Sequence, residues 1–262
     1  MILCIDIGNT NIKYAVFDNN QLKGSFRVSS RHTRTADEYG ATLINLLSSA
    51  NIRTADINGI IISSVIPNLN YTIIHMCEYF FKVTPLMIGA GIKTGLNIKA
   101  DSAKEVGADI IANCVSAYHK YGKEKTLVVI DFGTATTFDI ITKDGALIGV
   151  VIAPGIKSSL EGLVSNTAQL PMIDLVPPKS VLGKNTRSCM QAGIIYGFAG
   201  LVENIVKKIK AELNEEDIIV VATGGMGEVI AKEVSCINKT DRMLTLEGLK
   251  RIYYMNTEDK NV

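Results

Sequence analysis

The chain has 262 residues, 47% of them hydrophobic and 20% charged, enough to bury a sizeable core in one large domain or two small ones. A formal net charge of +1, with no run of Lys or Arg, argues against nucleic acid as a partner and favours small ligands. The five cysteines (Cys4, Cys77, Cys114, Cys189 and Cys236) are odd in number and widely spread, mostly in apolar stretches. That pattern excludes a disulfide framework or a CxxC metal site and predicts reduced core thiols. The first residues lack a basic region and carry Asp6 inside their apolar run, unlike a signal peptide. The longest apolar segment, from Cys189 to Val202, is broken by Gln191, Gly193, Gly197 and Gly200 and is shorter than the ~20 residues that span a bilayer. A cytoplasmic protein that enters no membrane is the expectation.

In chain order, Met1 to Asp18 reads as a β-hairpin: an apolar strand ending at Asp6, a turn over Gly8, Asn9 and Thr10, and a second strand. Leu22 to Val28 follows as a strand, and Ala36 to Ala50 has Tyr39, Leu43, Leu46 and Leu47 at helical spacing. Gly59 to Val65 reads as a buried strand, Asn70 to Phe81 as a helix and Pro85 to Ile88 as a strand. Ser102, with Glu105 three residues on, has the capping-box pattern and predicts a helix to about His119. The polar stretch from Tyr121 to Lys125 marks the expected boundary between domains 1–120 and 121–262.

Leu127 to Ile141 then repeats the opening: a short apolar strand, Asp131-Phe-Gly133, the hydroxyl residues Thr134, Thr136 and Thr137, and another strand. The two aspartates lie about half a chain apart, so duplication of one α/β unit is the economical explanation. Ser158 to Ser165 and Thr186 to about Leu213 read as helices, and Ile218 to Ala222 as a strand leading into Thr223-Gly224-Gly225-Met226-Gly227.

Such hairpins have a chemical use. Glycine lets the main chain approach a ligand closely, and an aspartate just before it can hold a cation against the ligand's oxygens. The phosphate-binding candidates are Asp6, Gly8, Asn9, Thr10, Asn11 and, as a compact positive charge, Lys13; a surface turn and a solvated lysine are the plain alternatives. Asp6 would hold Mg²⁺ directly or through water. Asp131, Thr134, Thr136 and Thr137 offer oxygen ligands for a hard cation. Gly224 and Gly225, between a strand and a helix, suit a nucleotide's phosphate or adenosine, or only a tight turn. Asp109, among apolar residues, must be compensated, either by a hydrogen bond to Asn113 or a neighbouring element, or because it serves as a general base. Thr186 heads the long helix, where capping would explain it. His32, His75 and His119 lack metal-ligand spacing, and no Gly-x-Ser-x-Gly nucleophile is present.

Taken in order, Asp6-Ile-Gly-Asn-Thr-Asn, Ile62-Ser63-Ser64-Val65-Ile-Pro67, Lys93-Thr-Gly-Leu-Asn-Ile98, Glu105-Val-Gly-Ala-Asp109, Asp131-Phe-Gly-Thr-Ala-Thr-Thr137, Pro154-Gly155-Ile156, Pro178 to Thr186 with its Gly-Lys-Asn-Thr, Thr223-Gly-Gly225 and Leu244-Thr-Leu-Glu-Gly-Leu249 resemble type III pantothenate kinase across nearly the whole chain. The hairpins alone are common to the acetate and sugar kinase, Hsp70 and actin superfamily. The resemblance implies an α/β fold of two ribonuclease-H-like domains, with mixed sheets flanked by helices and the active site in the cleft between them. It implies Mg²⁺ with ATP, a monovalent cation (K⁺ or NH₄⁺), and a homodimer with pantothenate near the subunit interface. By the same resemblance Asp109 is the proton acceptor, Asp131 a monovalent-cation ligand, Thr134 an ATP contact, and Gly107, Ala108, Asp109, Ile110 and Thr186 surround pantothenate.

Two positions depart from the family pattern: Ile110 stands where the family's Gly-x-Asp-Arg has arginine, and Ala100 where a tyrosine is expected. Losing a guanidinium from a carboxylate costs ~1.5–3 kcal/mol, about 10- to 150-fold in affinity. The expected activity is phosphorylation of the terminal hydroxyl of pantothenate, the first step towards coenzyme A. A kinase of the same fold acting on another small alcohol, and a nucleotide-binding regulatory protein that has lost catalysis, are the alternatives.

Overall fold

The computed structural model describes residues 1–31, 33–99 and 105–257. Its strands are β1 (Ile2–Ile7), β2 (Asn11–Asp18), β3 (Gln21–Ser29), β4 (Gly59–Ser64), β5 (Leu86–Met87), β6 (Asn97–Ile98), β7 (Leu127–Phe132), β8 (Ala135–Ile141), β9 (Ala146–Pro154), β10 (Ile219–Gly224) and β11 (Lys239–Thr240). Its helices are α1 (Ala36–Ser49), α2 (Pro67–Phe81), α3 (Ala108–Tyr121), α4 (Ile156–Ser165), α5 (Thr186–Leu213), α6 (Gly227–Ile230) and α7 (Leu244–Thr257). The chain divides into two compact units.

The first unit holds the sheet β3-β2-β1-β4-β5. β1 is antiparallel to β2 and parallel to β4, and both β1 and β4 are buried almost throughout, as strands covered on two faces must be. Leu3, Ile5, Ile7, Tyr14, Val16, Ile60 and Ile62 form one face and pack with Tyr39, Leu43 and Leu47 of α1 and Ile73, Met76 and Cys77 of α2. α7, from the far end of the chain, packs against β1, β2 and β4. Its Lys250 Nζ sits 4.8 Å above the Phe17 ring, and its Tyr253 lies against Gly59. α1 begins on a capping box between Thr35 and Glu38, and α2 begins at Pro67, where the missing N–H is no loss.

The second unit holds the sheet β11-β10-β7-β8-β9-β6. Reading β9-β8-β7-β10-β11 against β3-β2-β1-β4-β5 gives the same order and the same parallel and antiparallel pairings, so the repeat seen in the motifs extends to strand topology. Val128, Ile130, Phe132, Phe138 and Ile140 pack against α4 and against Met190, Ile194, Ile195, Phe198 and Val202 of α5. By length and composition the whole of α5, longer than its uninterrupted apolar segment, is apolar enough to cross a membrane, but half of its apolar window is buried in this core.

One expectation is corrected. Ser102 lies outside the described residues, but Glu105 to Gly107 form a turn and α3 starts only at Ala108. Asp109 is therefore in the first turn of its helix, not its middle. Among the thiols, Cys4, Cys77 and Cys114 are buried and Cys236 is half-buried, whereas Cys189 is exposed.

Candidate active site

Each hairpin turn is held from outside by a serine, two contacts the sequence motifs do not announce. In the first, Gly8 N–H donates to the Asn11 carbonyl at 3.1 Å and so closes the turn rather than facing outward. Ser30 Oγ donates to Gly8 O at 2.5 Å, and Ser30 N–H donates to Thr10 O at 3.0 Å. Asn9 and Thr10 are left at the exposed tip. Asp6, only 4% exposed, sits one residue before the end of β1, and Lys13 Nζ lies 3.1 Å from its Oδ2. The pair is in direct register, Asp6 opposite Lys13, which is why the side chains meet.

The second turn repeats the device. Gly133 N–H donates to Ala135 O at 3.0 Å, and Ser158 Oγ of α4 donates to Thr134 O at 2.8 Å. Gly155 passes so close that any Cβ there would collide with the carbonyls of Gly133 and Thr134. Gly133 and Thr134 are exposed at the tip. Thr136 is buried and donates to Pro154 O at 3.1 Å, so its hydroxyl is structural; Thr137 Oγ1 lies 3.4 Å from Asp139 Oδ2.

Asp131 and the glycine pair are brought together within this unit. Thr223 is in register with Asp131 on β10, Gly225 N–H donates to Phe132 O at 3.2 Å, and Gly224 adopts φ +86°. A Cβ on Gly224 would lie 2.5 Å from Asp131 Oδ1, whereas one on Gly225 would meet nothing within 4 Å. Gly224 is thus required by the fold, and Gly225 borders open space.

At the head of α3, Asp109 is half-buried, and its Oδ1 accepts from Ile110 N–H at 2.9 Å. The positive end of the helix dipole adds to that compensation, so this carboxylate is tolerated without the mid-helix cost its apolar neighbours suggest. Gly107, Ala108 and Ile110 are half-buried around it. α7 locks the helix in place: Thr245 Oγ1 donates to Asn113 Oδ1 at 2.7 Å, and Gly248 packs directly on the Ala112 carbonyl. Thr186 is the first residue of α5 and is exposed, but the cap is Asn185, whose side chain accepts from Ser188 N–H at 3.0 Å. Capping therefore does not account for Thr186. Ala100 and His32 lie outside the described residues.

No group of three or more His, Cys, Asp or Glu able to hold a metal is found among the described residues. Mg²⁺ in nucleotide enzymes usually needs only one or two carboxylates beside phosphate and water, so a single buried aspartate under an exposed turn fits it.

A model of the family described as type III pantothenate kinase matches residues 2–208. The chain belongs to that family. It is an ATP-dependent small-molecule kinase, a transferase whose family reaction phosphorylates pantothenate on the way to coenzyme A. Solved structures support the fold of the kinase. A Baf family protein from Campylobacter jejuni, named as a transcriptional activator, is 19% identical with a TM-score of 0.61 and covers 99% of this chain and 100% of its own. A protein from Sinorhizobium meliloti named as a 2-dehydro-3-deoxygalactonokinase is 11% identical with a TM-score of 0.57, over 97% and 96% of the two chains. The ethanolamine utilization protein EutJ from Carboxydothermus hydrogenoformans is 11% identical with a TM-score of 0.54, over 97% and 89%.

Proposed function

We infer that Asp109 accepts or orients the proton of pantothenate's terminal hydroxyl while the two hairpins and the Gly224-Gly225 turn bind ATP. The observation that carries this reading is the half-buried Asp109 carboxylate, presented by the first turn of α3 and braced by Thr245 and Gly248 of α7. A base so placed contributes roughly 10²–10⁴-fold, most of phosphoryl transfer resting on positioning and charge neutralisation. In this reading Asn9, Thr10, Asn11, Lys13 and Thr134 contact the phosphates, with Gly8 shaping the first turn. Asp6 holds Mg²⁺, directly or through water, and Asp131 holds a monovalent cation, K⁺ or NH₄⁺. When bound, these ions offset charge on the transferred phosphoryl group.

Gly107, Ala108, Ile110 and Thr186 border the acceptor. Ile110 supplies no charge where the family has arginine, so pantothenate binding loses a charge-assisted contact.

A homodimer is supported by the apolar side chains that the second unit leaves exposed, Ile152 at 69%, Val181 at 65% and Leu182 at 81% among them. Sedimentation at dilute concentration tests it, and a monomer there removes the dimer. A reducing, cytoplasmic setting agrees with five cysteines free of disulfides. The kinase reading is tested by incubating protein with ATP, Mg²⁺ and pantothenate, with and without K⁺, beside Asp109→Asn. Phosphopantothenate that depends on Asp109 is the expected result. Full turnover in the variant would remove Asp109 from the mechanism, and turnover only with other alcohols would move the acceptor.

A further inference from the structure

Ser63 is fully buried near the end of β4, and its Oγ has no hydrogen-bond partner among the described residues. An orphaned hydroxyl in such a place is costly, so its position calls for a reason. Register supplies one. Ser63 is the parallel partner of Asp6, and Lys13 is its antiparallel partner, so Lys13, Asp6 and Ser63 form one rung across the sheet. Residues on a rung project from the same face of a sheet. That face is opposite to the one on which Ile5, Ile7 and Ile62 pack with α1 and α2.

On this rung Lys13 reaches Asp6 from one side. Lys13 Nζ is 3.1 Å from Oδ2, while the hydroxyl on the other side stands unused. Ser63 has one donor to give, and while Lys13 draws the carboxylate to its own side that donor goes unused. The second sheet repeats the rung. Thr223 on β10, Asp131 on β7 and Thr137 on β8 are in register, and Thr223 is 3% exposed. In both units a buried hydroxyl residue of the parallel neighbour flanks the hairpin aspartate.

We propose that Ser63 is a positioning residue for Asp6: its hydroxyl and Lys13 compete for one carboxylate, Lys13 holding it in the free protein and Ser63 taking it over when Lys13 turns to the nucleotide's phosphates. The exchange leaves a buried carboxylate paired in both states and keeps it aimed at the cation that accompanies ATP. The takeover by Ser63 rests on the reading of the first hairpin as a phosphate site; the competition for Asp6 does not.

Thermal unfolding of the ligand-free protein and titration with ATP, with and without Mg²⁺, test it in Ser63→Ala, Lys13→Met, the double variant and Asp6→Asn. In the otherwise natural chain, Ser63→Ala should leave the melting temperature unchanged or raise it. In the Lys13→Met background, where the carboxylate turns to Ser63, the same change should lower it. Mg²⁺·ATP affinity should fall about five- to twentyfold in Ser63→Ala, with binding of ATP in EDTA within about twofold of the natural protein, a loss of the size expected for one hydrogen bond to a charged group. Equal effects of Ser63→Ala in the two backgrounds would overturn the competition. If Asp6→Asn abolishes Mg²⁺·ATP binding while Ser63→Ala binds like the natural protein, the positioning role of Ser63 is wrong and the phosphate site stands. If Asp6→Asn binds Mg²⁺·ATP normally, the phosphate-site reading fails and takes the nucleotide-bound half of the exchange with it.

Discussion

Gly224 is pressed against Asp131: a β-carbon at position 224 would fall 2.5 Å from the aspartate's Oδ1 and 2.6 Å from the Phe132 carbonyl oxygen. The residue also adopts φ +86°, which side chains rarely tolerate. Gly225, its neighbour, has nothing within 4 Å of the same construction. The two glycines should therefore respond differently. Gly224→Ala is expected to destabilise the protein by about 1–3 kcal/mol through strain and collision and to weaken nucleotide binding. Gly225→Ala should melt close to the natural protein, and its loss should be confined to ATP affinity. Chemical denaturation and ATP titration on both variants check this; equal stability loss would contradict the geometry.

A second close approach governs Asp109 at a distance. Gly248 of α7 packs on the Ala112 carbonyl, backbone that cannot turn aside, and Thr245 bonds Asn113 a residue further on. Gly248→Ala must push α7 and α3 apart, at about 1–3 kcal/mol for an overpacked contact. Because Ala112 is three residues beyond Asp109, the shift should also reach the turn that carries this carboxylate. The expected outcome is a lower melting temperature and a several-fold lower kcat, with ATP affinity in the natural range. A variant that melts lower but turns over normally would show that α3 tolerates the movement.

How much of this was legible in the sequence depends on how local each signal was. Strand, Asp-x-Gly and strand could be read at Asp6 and Asp131 because a hairpin is determined by a dozen consecutive residues, and the repeat of that pattern anticipated the matching strand orders. α5 was legible to its ends, since apolar periodicity and the Gly-Lys-Asn-Thr start are both local. The start of α3 was not. Ser102 and Glu105 have capping-box spacing, yet Glu105 to Gly107 form a turn and the helix begins at Ala108. The serines that brace the hairpins were invisible for a different reason: Ser30 and Ser158 act on Gly8 and Thr134 across more than twenty residues. Nor does anything within Leu244–Thr257 announce that it folds against strands from the start of the chain.

Burial also predicts behaviour in alkali. It pushes the Cys77 thiol up to about 12, and Cys4 and the Tyr14 hydroxyl upward too. In the unfolded chain thiols lose their protons near ~8.5, so the folded state keeps protons that the unfolded state has released. For acids raised in this way, stability is fully present below the unfolded value and falls as pH climbs from about 8.5 towards 12. The melting temperature should decline steadily above pH 9. At pH 8 an alkylating reagent should label exposed Cys189 first and half-buried Cys236 more slowly, leaving Cys4 and Cys77 untouched until the protein unfolds. Rapid modification of Cys77 in the native protein would contradict its burial.

Ile110 offers the sharpest test of how this kinase meets its acceptor. Its N–H donates to Asp109 at 2.9 Å, so the backbone at 110 is already tied to that carboxylate, and its side chain is half-buried. The family pattern has arginine there, and the guanidinium would add a charge-assisted contact to pantothenate's carboxylate. Restoring it as Ile110→Arg leaves the backbone donor in place, so Asp109 should keep its orientation. The expected gain is about 10- to 150-fold in pantothenate affinity, from roughly 1.5–3 kcal/mol, read as a lower KM with kcat and the KM for ATP little changed. An unchanged pantothenate KM in a folded Ile110→Arg would mean that the acceptor's carboxylate lies away from position 110. A loss of turnover would mean that the arginine disturbs Asp109 instead of assisting it.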